Sequence, residues 1–305
     1  MAQAGGSTEA EVASQPACWR RAAGLAASVA GLLPASGERV AVAGCGTSWF
    51  MAQSYAAARE ASGQGETDAF AASEMPLRRR YDRVLVLSRS GTTTEILQLL
   101  ARLRGTVPTV AITAGEGSPV AAAAGAVIPL EFADEESVVQ TRFATTELAL
   151  LRTHLGQDIA PAAGEAERIL AEPVAAVLMA GRQFTFLGSG WTAGLASEAA
   201  LKLREAAGMW TESYPAMEYR HGPAAVTGPG SVVWVFGPPP GGLAAEVAAA
   251  GGTLWHTASD PLAELVRVQL LAVAAARARG LDPDRPRNLS RSVILRGAGT
   301  GAGAG

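Results

Sequence analysis

"RVLVLSRSGTTTEILQLLARLR", residues 83–104, reads as a strand, a turn and a helix in unbroken succession. "RVLVL" (83–87) is a short apolar run rich in β-branched and Leu residues, as a strand buried on both faces requires. "TTEILQLLARLR" (93–104) changes to the helical period. Between them, "SRSGTTT" packs five hydroxyls, one glycine and one arginine into seven residues. The loop at the C-terminal end of a parallel strand is where open α/β sheets hold ligands. Gly91 permits a tight turn, and Thr92 with Glu95 fits a capping box. The free N–H groups of the helix start favour an anion, with Ser88, Ser90 and Thr93 as hydroxyl donors and Arg89 as added charge. An ordinary helix cap would use one or two hydroxyls, not five. A phosphate is the expected anion.

Working outward, "RVAVAG" (39–44), "TVAIT" (109–113) and "AVIPL" (126–130) are further buried strands separated by Ala-rich helical stretches. That alternation implies βαβ units in a doubly wound parallel sheet, α/β in class. The pattern then recurs. "VAGCGTSWFMAQSYAAARE" (42–60) is echoed by "FLGSGWTAGLASEAALKLRE" (186–205), about 144 residues later. "RVLVLSRSG" (83–91) is answered by "SVVWVFGPPP" (231–240), its hydroxyls replaced by prolines. One α/β unit used twice is expected, with a boundary near "LGQDIAPAAGEAE" (155–167). The expected division is an N-terminal tail and helix (1–28), a first domain (29–157), a second (170–284) and a C-terminal segment (285–305). "MAQAGGST" and "GAGTGAGAG" (297–305) have the composition of loose ends.

The turn "GCGTS" (44–48) is too short for a dinucleotide fingerprint and lacks a following G-K-[ST], so a nucleotide is weakly supported. If the strands 39–44 and 83–87 are neighbours, both loops lie at one sheet edge and cradle one phosphate with a small polar body. Bulk numbers agree. The formal charge of −3 disfavours nucleic acid, and no apolar stretch is long enough to span a bilayer. The first residues lack the pattern of a secretory signal. Cys18 and Cys45 are the only cysteines, giving neither a disulfide framework nor a metal cluster. A cytoplasmic, cofactor-free protein is expected.

Of 25 basic residues, Lys202 is the single lysine and the other 24 are arginine. A lone lysine suggests a site where a compact ammonium serves and a planar guanidinium does not. Lys202 falls with Glu198 and Glu205 at i, i+4, i+7, on one helical face. A solvated salt-bridge stripe would use the same spacing, but the surrounding "AALKL…AAGMW" is apolar, so that face is expected in a cleft. His221, one of three histidines, sits in an "HGP" turn, and imidazole is the side chain type suited to proton transfer near neutral pH. Moving a proton between adjacent carbons of an open-chain sugar needs a carboxylate, an acid/base near the ring oxygen and a balancing cation. Glu205, His221 and Lys202 could fill those roles.

"CGTS", "SRSGTTTE", "EAALKLRE…E…HGP" and "DRPRNLSRSV" (284–293) together resemble the sugar isomerase (SIS) family, above all the isomerase part of glucosamine-6-phosphate synthase and related deaminase/isomerases. The likeness runs over roughly residues 10–293 and implies two tandem SIS domains of flavodoxin-like type. It implies that Ser88, Arg89, Ser90 and Thr93 hold a sugar phosphate, helped by Cys45, Gly46, Thr47 and Ser48. It implies that Glu205 shuttles the proton between C1 and C2, and that Glu198 and Lys202 are active-site residues. His221 would assist ring opening from a partner subunit, making a homodimer with shared sites. "EESVVQTR" (135–142) looks like the stretch beside the sugar, with Val138 and Gln140 as contacts.

Two departures stand out. No glutaminase domain is expected in this chain, so glutamine-dependent synthesis by it alone is not. The tail lysine that forms a Schiff base in the synthase is replaced by Arg291, which stays protonated and cannot act as an amine nucleophile. The expected reaction is isomerisation with deamination of an amino-sugar 6-phosphate, glucosamine 6-phosphate to fructose 6-phosphate being the leading case. A plain isomerase of another sugar, a deglycase, a non-catalytic phosphosugar sensor and an isomerase subunit fed ammonia by a separate glutaminase are the alternatives.

Overall fold

Strands buried on both faces need helices above and below them, and the chain supplies both. In the computed structural model, which describes residues 5–295, the N-terminal helices α1 (Gly6–Ala13) and α2 (Gln15–Val29) precede the first strand. β1 (Val40–Gly44), β2 (Thr67–Ala71), β3 (Arg83–Ser88), β4 (Thr109–Thr113) and β5 (Ala126–Pro129) form one parallel sheet in the order β2-β1-β3-β4-β5. Its crossovers carry α3 (Thr47–Ala61), α4 (Thr94–Leu103) and the short α5 (Pro119–Ala123). β1 and β4 are buried along their whole length, as their unbroken apolar runs require.

α6 (Arg142–His154), α7 (Ala160–Leu170) and the short α8 (Ala176–Met179) lead to the second sheet. There β6 (Gln183–Gly188), β7 (Thr211–Pro215), β8 (Ser231–Phe236) and β9 (Thr253–His256) run parallel in the order β7-β6-β8-β9. α9 (Thr192–Ala207) follows β6, α10 (Leu243–Ala249) follows β8, and α11 (Pro261–Ala278) follows β9. The first four strands of each sheet thus repeat one order, second-first-third-fourth.

The two halves are not separate globules joined by a linker. One hydrophobic cluster runs from Val40, Leu85 and Ile112 through Met51, Phe143 and Leu148 to Leu195, Phe186 and Trp234. The helices between the sheets, chiefly α2, α3, α6, α7, α9 and α11, form this shared layer. Smaller clusters lie on the outer face of each sheet. The stretch 155–167 therefore enters α7, which packs on α2 and α11, instead of forming an open connector. α3 and α9 cross so closely that a Cβ on Gly194 would lie 2.4 Å from the Phe50 carbonyl oxygen.

The expectation of a loose N-terminus fails from Gly6 onward. Asp284 supplies the reason: its Oδ1 accepts the Thr8 N–H at 2.7 Å and the Thr8 hydroxyl at 2.6 Å, while Oδ2 accepts the Ser7 N–H. A carboxylate from the C-terminal segment thus caps the first turn of α1, where backbone donors and helix dipole both favour it. The Gly/Ala-rich end at 297–305 and residues 1–4 lie outside the described residues. Among the described residues, no helix is long and apolar enough to cross a membrane.

Candidate active site

β1 and β3 are neighbours, with Val40 opposite Arg83, so their following loops emerge side by side where the strand order reverses. The turn after β1 is tight. A Cβ on Gly44 would sit 2.5 Å from the Ser48 main chain, and Gly46 takes φ 55°. This folds Cys45 to Ser48 under the sheet edge and starts α3 with Thr47 and Ser48 buried.

A cavity of about 200 Å³ opens there. Cys45, Gly46, Thr47 and Ser48 form one wall and Ser88, Arg89, Ser90 and Thr93 the next. Val138, Gln140, Glu205 and Arg291 with its neighbours in the C-terminal segment complete the lining. The Ser88 Oγ and Gln140 Nε2 atoms are buried without a hydrogen-bond partner among the described residues, although buried polar groups almost always have one. Two orphaned donors in the wall of one cavity point to a polar ligand.

Arg89 lines the cavity. Its guanidinium is buried, 3.6 Å from Glu135, and donates to the carbonyls of Ser137 and Arg291 at 3.0 Å each. It thus also ties together the segments flanking the cavity. The capping box fails. Thr93, not Thr92, is the N-cap of α4 and its side chain makes no capping bond; Thr92 Oγ1 instead donates to Ser292 Oγ at 2.9 Å. The C-terminal segment does the capping from outside, the Val293 carbonyl accepting the Thr94 N–H.

The three charged residues of α9 do meet. Lys202 is fully buried and its Nζ donates to Glu205 Oε2 at 2.6 Å, to the Gln140 carbonyl at 2.9 Å and to Thr47 Oγ1 at 3.0 Å. Glu198 Oε1 lies 3.3 Å away, an ion pair without hydrogen-bond geometry. Burial pushes Glu198 up to about 7 against the pull of Lys202. Burial alone would lower Lys202, but Glu198 and Glu205 outweigh it and raise it, so the ammonium stays charged. Glu205 keeps about a fifth of its side chain exposed, in the cavity lining.

His221 is not in this cavity. It is exposed, ending a short 3-10 turn (Glu218–His221) beyond β7. Arg291 lines the cavity, but its guanidinium binds Asp134 at 2.5 Å.

Several supporting residues escaped the sequence reading. Glu11 of α1 accepts the N–H groups of Glu136 and Ser137 and the Ser137 hydroxyl, and Glu135 accepts the Thr141 and Arg142 N–H groups. Together they fix the segment carrying Val138 and Gln140. Glu147 of α6 is fully buried, and both its oxygens lack a partner. Burial first, then Glu198 and Glu135, raise it well above the usual range, so it stays protonated. Its signal was a lone acid in the apolar run "ATTELALL". Nothing in the sequence marked Ser292.

The geometry defines a doubly wound α/β protein with a hydroxyl-lined loop at the switch point of its first sheet and a buried lysine–glutamate cluster facing it. Residues 35–152 match the family model described as SIS domain, so the chain carries a SIS domain. It is 32% identical over 267 residues to the glutamine–fructose-6-phosphate aminotransferase (isomerizing) of Acidithiobacillus ferridurans, a match covering 70% of this chain and 44% of that protein. The chain spans about half the length of the curated relatives it matches. Among solved structures, it superposes on a glucosamine-6-phosphate deaminase from Thermotoga maritima with a TM-score of 0.80 at 24% identity, covering 95% of this chain and 100% of the other. The tagatose-6-phosphate ketose/aldose isomerase of Escherichia coli gives 0.76 at 18% identity, over 95% and 96%. At such identities these likenesses carry the fold.

Proposed function

We propose that the chain is a phosphosugar isomerase that deaminates an amino-sugar 6-phosphate, with glucosamine 6-phosphate plus water going to fructose 6-phosphate plus ammonia as the leading case. The observation that carries this reading is the pair of orphaned donors, Ser88 Oγ and Gln140 Nε2, in a cavity that Glu205 also lines. The phosphate sits against Ser88, Ser90, Thr93 and the turn at Cys45 to Ser48. Its sugar runs past Val138 and Gln140 toward α9. Glu205 takes the proton from C2 of the open aldose and returns it at C1, leaving a C2 imine that water hydrolyses to ketone and ammonia. Lys202 holds that carboxylate in place, and Glu198 balances the lysine.

Ring opening falls to His221 of a second copy, since this chain keeps its own His221 outside its cavity. Edge strand β7 and the turns after it support a homodimer through that face, because exposed Trp210, Met217 and Val226 flank His221 in sequence. In the same reading, residues 29–157 and 170–284 are two SIS domains from one duplicated unit, and the protein is cytoplasmic.

The test is ammonia release from purified protein offered glucosamine 6-phosphate and galactosamine 6-phosphate in turn. Release that falls by about 10²–10⁴-fold in Glu205→Gln is the expected outcome. Tight binding of both phosphates without turnover would overturn it in favour of a phosphosugar sensor.

A further inference from the structure

A second cavity, about 570 Å³ in volume, lies behind α9, with Glu205 as the residue common to its wall and that of the first. It forms where α9 ends at Gly208 and α11 gives way to the C-terminal segment. Four arginines line it: Arg204, Arg279, Arg285 and Arg287. None makes an ion pair among the described residues. Arg204 donates to the Thr211 carbonyl and Arg279 to the Ala275 carbonyl, both within their own neighbourhood. The side chains of Arg285 and Arg287 make no hydrogen bond among the described residues.

The two carboxylates in the wall offset only one of these charges. Glu205 is bound to Lys202, whereas Asp282, whose Oδ1 accepts the neutral Gly5 and Asp284 N–H groups, keeps its negative charge in the wall. The ends of α9 and α11 are negative, but each helix terminus carries only about half a charge, so together they offset roughly one of the four guanidiniums. In a chain of formal charge −3, a cavity left with roughly two positive charges after these offsets is a local reversal of sign.

We propose that this cavity is a second anion site, taking a small molecule that carries a phosphate group. Its volume falls within the range of about 300–1,000 Å³ usual for small-molecule sites. Guanidinium groups match phosphate oxygens in bidentate geometry, and the roughly two positive charges left over match one phosphate, at about −1.5 to −2. The site stands whether or not the chain deaminates a sugar phosphate.

The probes are inorganic pyrophosphate and inorganic orthophosphate, titrated by calorimetry at fixed ionic strength into the full chain. A Ser88→Ala/Ser90→Ala chain silences the hydroxyl loop and so separates the two cavities. Orthophosphate is expected to bind that chain saturably, and pyrophosphate at least as tightly. Arg285→Ala/Arg287→Ala should weaken it about tenfold or more, and Arg285→Lys/Arg287→Lys should recover part of the loss by keeping the charge. The arginine variants change exposed side chains, and equal thermal unfolding certifies their fold. Binding that disappears with Ser88→Ala/Ser90→Ala, that survives Arg285→Ala/Arg287→Ala, or that is absent from every chain overturns the proposal.

Discussion

The two halves of the molecule begin alike and end differently. After β1 the chain turns at Gly46 with φ 55°, and after β6 it turns at Gly190 with φ 57°. A Cβ on Gly44 would meet Ser48 main-chain atoms at 2.5 Å, and one on Gly188 would meet those of Thr192 at 2.2 Å. The backbone problem and its glycine solution are the same. The hydroxyls then part company. Ser48 lines the cavity, whereas Thr192 Oγ1 accepts the Ser189 N–H and donates to the Phe236 carbonyl, stitching its own turn to β8. The next loops diverge further: Ser88 to Thr94 offers five hydroxyls, and Gly237 to Pro240 offers none. The first half keeps a hydroxyl-rich loop; the second half contributes a helix bearing Lys202 and Glu205. A site needs both, and the shared layer of helices brings them together.

Separating those contributions starts with the lysine, where the largest effect is expected. Lys202→Met leaves Glu205 and Glu198 without their buried cation and should cost about 3–5 kcal/mol of stability, read from chemical denaturation. An unchanged midpoint would mean that the second half's charges are not the buried cluster described above. Glu198 comes next. Its pKa in the fold, about 7, lies above its ordinary value of 4.5, so the stability it contributes is present below about pH 4.5 and is lost as pH rises through 7. At about 1.36 kcal/mol per pKa unit, the loss approaches about 3 kcal/mol. Glu198→Gln should therefore flatten the decline in unfolding free energy between pH 5 and pH 8.

On the first half, Ser88→Ala/Ser90→Ala removes two hydroxyls that the proposed function sets against a phosphate. At about 1.5 kcal/mol or more each, KM for the substrate should rise about a hundredfold with little change in unfolding. The matching change on the second half, Pro238→Ser/Pro239→Ser, should leave KM where it was, because that loop does not line the cavity. A KM that responds equally to both would erase the distinction between the halves.

The positions of the strands were legible because period and glycine turns are local properties. "RVAVAG", "RVLVL", "TVAIT" and "AVIPL" became β1, β3, β4 and β5 within a residue or so. The loop residues were legible for the same reason, since a hydroxyl-rich run stands out. Long-range pairing was not. Arg89 reads as a free cation until Glu135 and the Ser137 and Arg291 carbonyls claim it. "MAQAGGST" reads as loose until Asp284, far along the chain, caps α1. The position of His221 relative to any cavity is a question for two chains, and no spacing within one chain answers it.

The smallest expected effect asks whether the halves unfold together. Gly194 in α9 faces α3, where a Cβ would lie 2.4 Å from the Phe50 carbonyl oxygen and 2.9 Å from the Ser54 nitrogen. Backbone atoms cannot step aside, so Gly194→Ala should cost about 1–3 kcal/mol despite the better helix propensity of alanine. Gly24 in α2 is exposed and a Cβ there meets nothing within 4 Å. Gly24→Ala should therefore raise stability by about 0.5–1 kcal/mol. Both shifts should appear in one calorimetric transition, because both helices belong to the layer shared by the two sheets. A Gly194→Ala chain that melts in two separate steps would show two cores where one is described, and the cavity between Ser88 and Glu205 would then depend on docking instead of on folding.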